Sequence, residues 1–375
     1  MNKAAAVALM AAITVTGCVQ EIPSAPHGAF PVAERAASVL PVAGYLLFNQ
    51  PSGAIHALRL PYLETGVVKS PSMRNGERAT IHALSGPDRE GRVAYIEDHF
   101  FVADKSSRRH LLKTVRIDGT QDGEVFVRSG GALWAKTPAG HGEIGSHLAL
   151  SASGGLVAFL SSLEPVQLPS AYLHVGHLEV WNVVTRAGGK RLAAVLDEGL
   201  AWFPDGRRLA FVRLTQPADI PTSALPPASF GRAFQDWDRI PSVFILDLDM
   251  GTERFLATGW RPVVSGDGTF VLVSDSEGNA RGVEAASGMP LALRLPQSDC
   301  PRLVAAPSPG LVLALCRPGS GEFVEYSENN SPLSGEKPML ILSLVGTDSA
   351  DRRAVVRSIN PRTVVSFGTG PAKEE

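Results

Sequence analysis

AWFPDGRRLAFVRL, residues 201 to 214, reads as a strand, a tight turn at Pro204, Asp205 and Gly206, and a second strand in which Leu209 and Phe211 alternate with outward residues. Weaker copies of the post-turn strand recur at residues 45–48 (YLLF), 92–96 (RVAYI), 156–160 (LVAFL), 269–273 (TFVLV) and 311–315 (LVLAL). Corners rich in Gly, Ser, Pro and Asp precede them, as in SASGG at 151, SGDG at 265 and PSPG at 307. Most copies are followed by a further alternating pair, for example 177–184 then 192–196, or 243–248 then 254–257. Four short antiparallel strands per unit, repeated at intervals of tens of residues, make a propeller blade. The expected fold is an all-β propeller of six blades of four-stranded antiparallel sheets, with seven also compatible with the length. A last strand at 363–367 closes the ring with the N-terminal strands.

The 201–214 unit, with LDLDMGTERFL from Leu246, resembles the repeat of the TolB propeller and of the propeller domains of prolyl oligopeptidase-type peptidases. FQDWDRIPSVFILDLDMG, from Phe234, is similar to the Trp-containing segment that leads into the third strand of those peptidase propellers. The resemblance implies a TolB-like interaction module. It does not bring peptidase activity with it, because no G-x-S-x-G elbow and no alternating βα region stand outside the repeats.

Composition bounds the partners. With 35 basic against 37 acidic residues in 375, no net field draws the chain to nucleic acid, and none is expected as a partner. Glycine (37) and proline (28) are too numerous for a helical protein and suit one with many turns.

The N-terminus carries Lys3 and an apolar run of about a dozen residues, short of the ~20 needed to cross a bilayer. Residues 1–17 read as a signal peptide ending in Val15-Thr16-Gly17-Cys18, which resembles a bacterial lipobox with Cys18 as the lipid-bearing residue. Val19 after it fits a lipoprotein of the outer membrane facing the periplasm. Residues 18–38 are then a flexible tether and 39–370 the propeller domain. The register that pairs Ala306 with Gly310 sets Cys300 opposite Cys316, where an oxidising envelope permits a disulfide; a slip of one residue leaves two thiols apart.

Long connections fall between second and third strands, at 97–110, 161–176, 215–242 and 317–338, while the opposite corners stay short. Insertions on one face mark a binding side. Its candidate contact residues are Phe100, Arg108 and Arg109 in the first, Phe230, Phe234 and Trp237 in the third, and Tyr326 in the fourth. The rings of the third also suit packing onto their own blade, Trp237 above all. His141, His147, His174 and His177 form no metal-binding spacing, Asp247 to Gly251 is explained as a turn, and neither a metal nor a cofactor is expected. The functional expectation is a lipid-anchored envelope module that binds a protein or peptide partner, with oligomeric state open. The alternative is a propeller hydrolase or lyase with a metal site in its channel.

Overall fold

The computed structural model describes residues 43–49, 54–60, 64–70, 77–101, 108–129, 144–168, 171–221, 237–275, 279–291, 302–308, 311–316, 324–326, 340–346, 352–356 and 365–368. Blade 1 holds β1 (Gly44–Asn49), β2 (Ile55–Leu60) and β3 (Glu64–Lys69). Blade 2 is β4 (Glu77–Leu84), β5 (Arg92–Phe101), β6 (Arg108–Arg116) and β7 (Gly123–Ser129). Blades 3 and 4 form one curled sheet of seven strands: β8 (Ile144–Leu150), β9 (Leu156–Leu168), β10 (Ala171–Asn182), β11 (Gly188–Trp202), β12 (Arg208–Thr215), β13 (Ile240–Asp247) and β14 (Thr252–Thr258). Here β11 serves twice, its first half as the outer strand of blade 3 and its second half as the inner strand of blade 4.

Blade 5 is β15 (Trp260–Val264), β16 (Phe270–Ser274), β17 (Ala280–Glu284) and the two-residue β18 (Pro290–Leu291). Blade 6 is β19 (Arg302–Ser308), β20 (Leu311–Cys316), β22 (Leu340–Gly346) and β23 (Arg352–Val356), with β21 (Val324–Tyr326) added in parallel at its outer edge. The last strand, β24 (Val365–Gly368), pairs antiparallel with β1 and becomes the inner strand of blade 1. The inner strands touch in series, β4 to β8, β11, β15, β19 and β24, and β1 meets β4, so six blades close a ring.

The second strand of each blade is the apolar copy seen in the sequence, and its packing explains its composition. Along β9, Val157 and Phe159 pack toward blade 2, while Ala158 and Leu160 pack toward blade 4 with Leu209, Phe211 and Leu246. On β12, Ala210 and Val212 join Trp260, Val271 and Val273 of blade 5. On β16, Phe270 and Leu272 face Val312 and Ala314 of blade 6. A strand buried on both faces must be apolar at every position, as in parallel-sheet cores.

The corners between first and second strands of blades 4 and 5 share one construction. At Phe203 to Arg208 the Asp205 carboxylate accepts the backbone N–H groups of Arg207 (2.9 Å) and Arg208 (3.0 Å). Gly206, at φ +68°, donates its N–H to Phe203 O at 2.9 Å, in a left-handed conformation that glycine adopts without steric cost. In blade 5, Asp267 accepts from Thr269 N and Gly268 donates to Ser265 O.

Several expectations change. Residues 97–110 and 161–176 are not loops in the main: β5 runs to Phe101, β6 starts at Arg108, and β9 and β10 leave only two residues between them, so both insertions extend as β-hairpins. Blade 5 gains β17 and β18, which the alternation did not reveal. In blade 6 the strands pair Arg302 with Leu315, one residue out of the register that faces Cys300 with Cys316, and bulges follow on either side of Ala305. Cys300 itself lies outside the described residues, as do Cys18 and the signal and tether segments.

Candidate functional site

The channel has two unlike ends. At the corner end, the inner strands and the corners that follow them line a cavity of about 440 Å³ with Gly86, Pro87 and Arg89, Leu148 to Leu150 with Ala152, Leu200 to Trp202 with Pro204, Pro262 to Gly266, Val304 to Pro307, and Phe367 with Gly368. Among the described residues that line it, only Arg89 is charged, and Ser265 bears the one hydroxyl, which donates to Asp267 at 2.7 Å. Among the described residues the wall offers backbone groups and apolar side chains, Trp202 and Phe367 the largest, and no carboxylate or imidazole for general acid–base chemistry.

The other end carries the charges, and bulges put them there. Pairing of first with second strands shifts register between Ile144 and Leu148, between Leu196 and Leu200, and between Trp260 and Val263. These irregular stretches contain His147, then Asp197, Glu198 and Gly199, then Arg261. His147 Nδ1 lies 3.1 Å from Asp197 Oδ1, and Arg261 Nε donates to Glu198 Oε2 at 3.0 Å, so a histidine–carboxylate contact ties blade 3 to blade 4 and an ion pair ties blade 4 to blade 5. A bulge bends a strand and re-aims its side chains, as is common beside binding sites. The sequence signal was Asp-Glu-Gly inside a strand pattern, since an interior glycine marks a bulge.

Long hairpins stand on this side of the ring. β9 and β10 have 13 and 12 residues, against five for each of β16 and β17. Near the hairpin tip the Tyr172 ring is 45% exposed and sits edge-on to His174 at 5.4 Å. The β5–β6 hairpin is rooted in buried ionic groups: Glu97 Oε2 lies 2.7 Å from Lys113 Nζ and 3.0 Å from His99 Nε2, and Asp98 faces His110 at 3.8 Å. Such buried charges hold only because each has partners close by.

The expected contact residues divide. Phe100 pairs in register with Arg108, and Arg109 with His99, so these three stand together at the hairpin end of blade 2. Tyr326 is instead on β21, at the outer edge of blade 6. Phe230 and Phe234 lie outside the described residues. Trp237 is 5% exposed and meets the Trp260 ring edge-on at 6.1 Å within the core between blades 4 and 5, so it is a packing residue and not a surface anchor. Among the described residues no three His, Cys, Asp or Glu side chains converge as metal ligands, and no helix is long and apolar enough to cross a membrane.

No family model matches the sequence, and no curated protein matches it. Solved structures do. TolB from Acinetobacter baumannii superposes with a TM-score of 0.50 at 14% identity, over 87% of this chain and 67% of that one. An oligogalacturonate lyase in complex with manganese gives 0.43 at 14% identity, over 73% and 70%. The β-propeller domain of the Trilobed protease from Pyrococcus furiosus gives 0.39 at 11%, over 73% and 71%. What the TolB likeness shows is the fold: the chain is a TolB-like β-propeller.

Proposed function

We propose that the protein is a lipid-anchored propeller of the bacterial cell envelope, held through Cys18 in the outer membrane, that binds a protein or peptide partner on its long-hairpin face. The observation that carries this reading is the β9–β10 hairpin, which exposes Tyr172 on the side of the ring where polar groups of neighbouring inner strands pair across blades. A rigid aromatic on an elongated hairpin is the kind of anchor that protein interfaces use. The expected contact residues Phe100, Arg108 and Arg109 occupy the end of the β5–β6 hairpin, on the same side of the ring.

A photo-crosslinking amino acid in place of Tyr172 tests the face in living cells. The expected result is a discrete protein adduct that the same probe at Met250, on the opposite face, does not give; equal labelling from both positions overturns the assignment. The anchor has its own test. Radiolabelled palmitate enters the protein and is lost in Cys18→Ser, whereas labelling that persists in that variant refutes the role of Cys18.

A further inference from the structure

The corner face repeats an exposed apolar tip. Of the six large hydrophobic residues exposed among those described, Val184 (68%), Met250 (73%) and Met289 (62%) stand at the third-to-fourth-strand corners of blades 3, 4 and 5, and Leu291 follows on β18. The three corners hold these residues at different places in the turn. The Val184 N–H donates to Asn182 Oδ1 two residues back (2.9 Å), that of Met250 to Asp247 Oδ1 three residues back (3.0 Å), and that of Met289, at the end of its turn, to Ser287 Oγ (3.1 Å). Single exposed hydrophobics are ordinary; here one stands on the corner of each of three successive blades, all on one face.

The chain enters on that face too. Gly44, the first residue of β1, stands opposite Leu60, where β2 runs out into its own third-to-fourth-strand corner. Twenty-five residues lie between Cys18 and Gly44, a length of chain that reaches at most about 90 Å. From these two observations we infer that the corner face of blades 3 to 5 rests on the membrane, with Val184, Met250 and Met289 seated in the interfacial layer. The tether part of the argument rests on the reading of Cys18 given above. Tethering gives an effective concentration on the order of millimolar, enough for a contact too weak to hold a free protein. The corners mix Asp205, Asp249, Asp267 and Glu284 with Arg186, Arg207 and Arg208, so the surface they fit is a zwitterionic lipid layer and not a strongly anionic one. The hairpin face then points away from the membrane.

Residues 18–375 contain every described element and carry the test, with an N-terminal hexahistidine tag captured on phosphatidylcholine vesicles containing a nickel-chelating lipid. Hydrogen exchange is compared with that of the free protein. The expected result is slowing by about fivefold or more at 183–187, 248–252 and 286–290, with none at 171–175. In Val184→Asp/Met250→Asp/Met289→Asp, which alters only exposed tips, the slowing disappears while the rest of the exchange pattern is kept. Unchanged exchange at the three corners, equal slowing at 171–175, or slowing that survives the triple substitution overturns the proposal. Because the tag supplies the tether, the outcome is independent of whether Cys18 carries lipid, which the palmitate experiment decides.

Discussion

At the scale of single residues, the corners hold the ladder in register. Burial alone would raise the Asp205 carboxyl, but the N–H of Arg207 and the guanidinium and N–H of Arg208 outweigh it and keep the group below the ordinary aspartate value. Asp267 is lowered in the same way, with the Ser265 hydroxyl and Thr269 N–H prevailing over burial. A carboxyl with a depressed folded-state pKa contributes stability that is present above its unfolded value, about 3.9, and is lost as pH falls through the folded value. Replacement of Asp205 by Ala removes acceptors for two backbone N–H groups and one guanidinium. At pH 7 the variant is expected to lose about 1 kcal/mol, the low end for such bonds because the carboxyl faces solvent in part. Thermal melts from pH 7 to pH 2 check it: the gap between wild type and variant closes as the acid limb is reached, and a gap of constant size refutes the ionic origin.

At the scale of elements, the strands differ in how openly the sequence declares them. The second strands, such as LVAFL on β9, were legible because both faces are buried and the run is apolar throughout. The inner strands were not. Register shifts interrupt the pairing of β4, β8, β11, β15 and β19 with their second strands, and each shift resets the two-residue period on which strand recognition depends. The charged channel mouth sits in those interruptions, so the part of the candidate site that the sequence hid is the part that bulges create. The hairpins show the converse: 161–176 carries Pro165, Gly176 and polar residues and reads as a loop, yet the ladder continues through it with Leu173 opposite Val166. Trp237 was ambiguous in sequence because an aromatic in a proline-rich connection suits a partner or a core equally. Its packing against Trp260 makes the distinction testable, since Trp237→Ala leaves a cavity between blades 4 and 5 and is expected to cost about 3 to 5 kcal/mol. Calorimetry on the purified variant reads this as a fall in Tm, and an unchanged Tm would return Trp237 to the surface.

At the scale of the whole molecule, stability depends on closing the ring, and closure depends on how near two backbones can come. β24 is only four residues long, yet it supplies the inner strand of blade 1 through pairs such as Leu46 with Phe367 and Phe48 with Val365. It also lies against the start of the blade 2 corner. A Cβ placed on Gly86 would meet the Phe367 carbonyl oxygen at 2.0 Å, and one on Gly368 would meet the Pro87 carbonyl oxygen at 2.1 Å, distances at which backbone has to move. Because the atoms in the way are main chain and not the flexible end of a side chain, Gly86→Val cannot be absorbed by a rotamer change. Displacing β24 would uncover the edge of β1, a row of N–H and C=O groups open to pairing with another chain. The predicted consequence is specific to closure: Gly86→Val lowers the unfolding free energy by about 3 kcal/mol or more and promotes self-association. Gly123→Val is the matched control, because a Cβ there meets nothing within 4 Å. Sedimentation velocity with hydrogen exchange separates the outcomes, with larger species and faster exchange in β1 and β24 for the first variant and neither for the second. A Gly86→Val protein that stays monomeric and as protected at β24 as the parent shows that the ring closes without this contact.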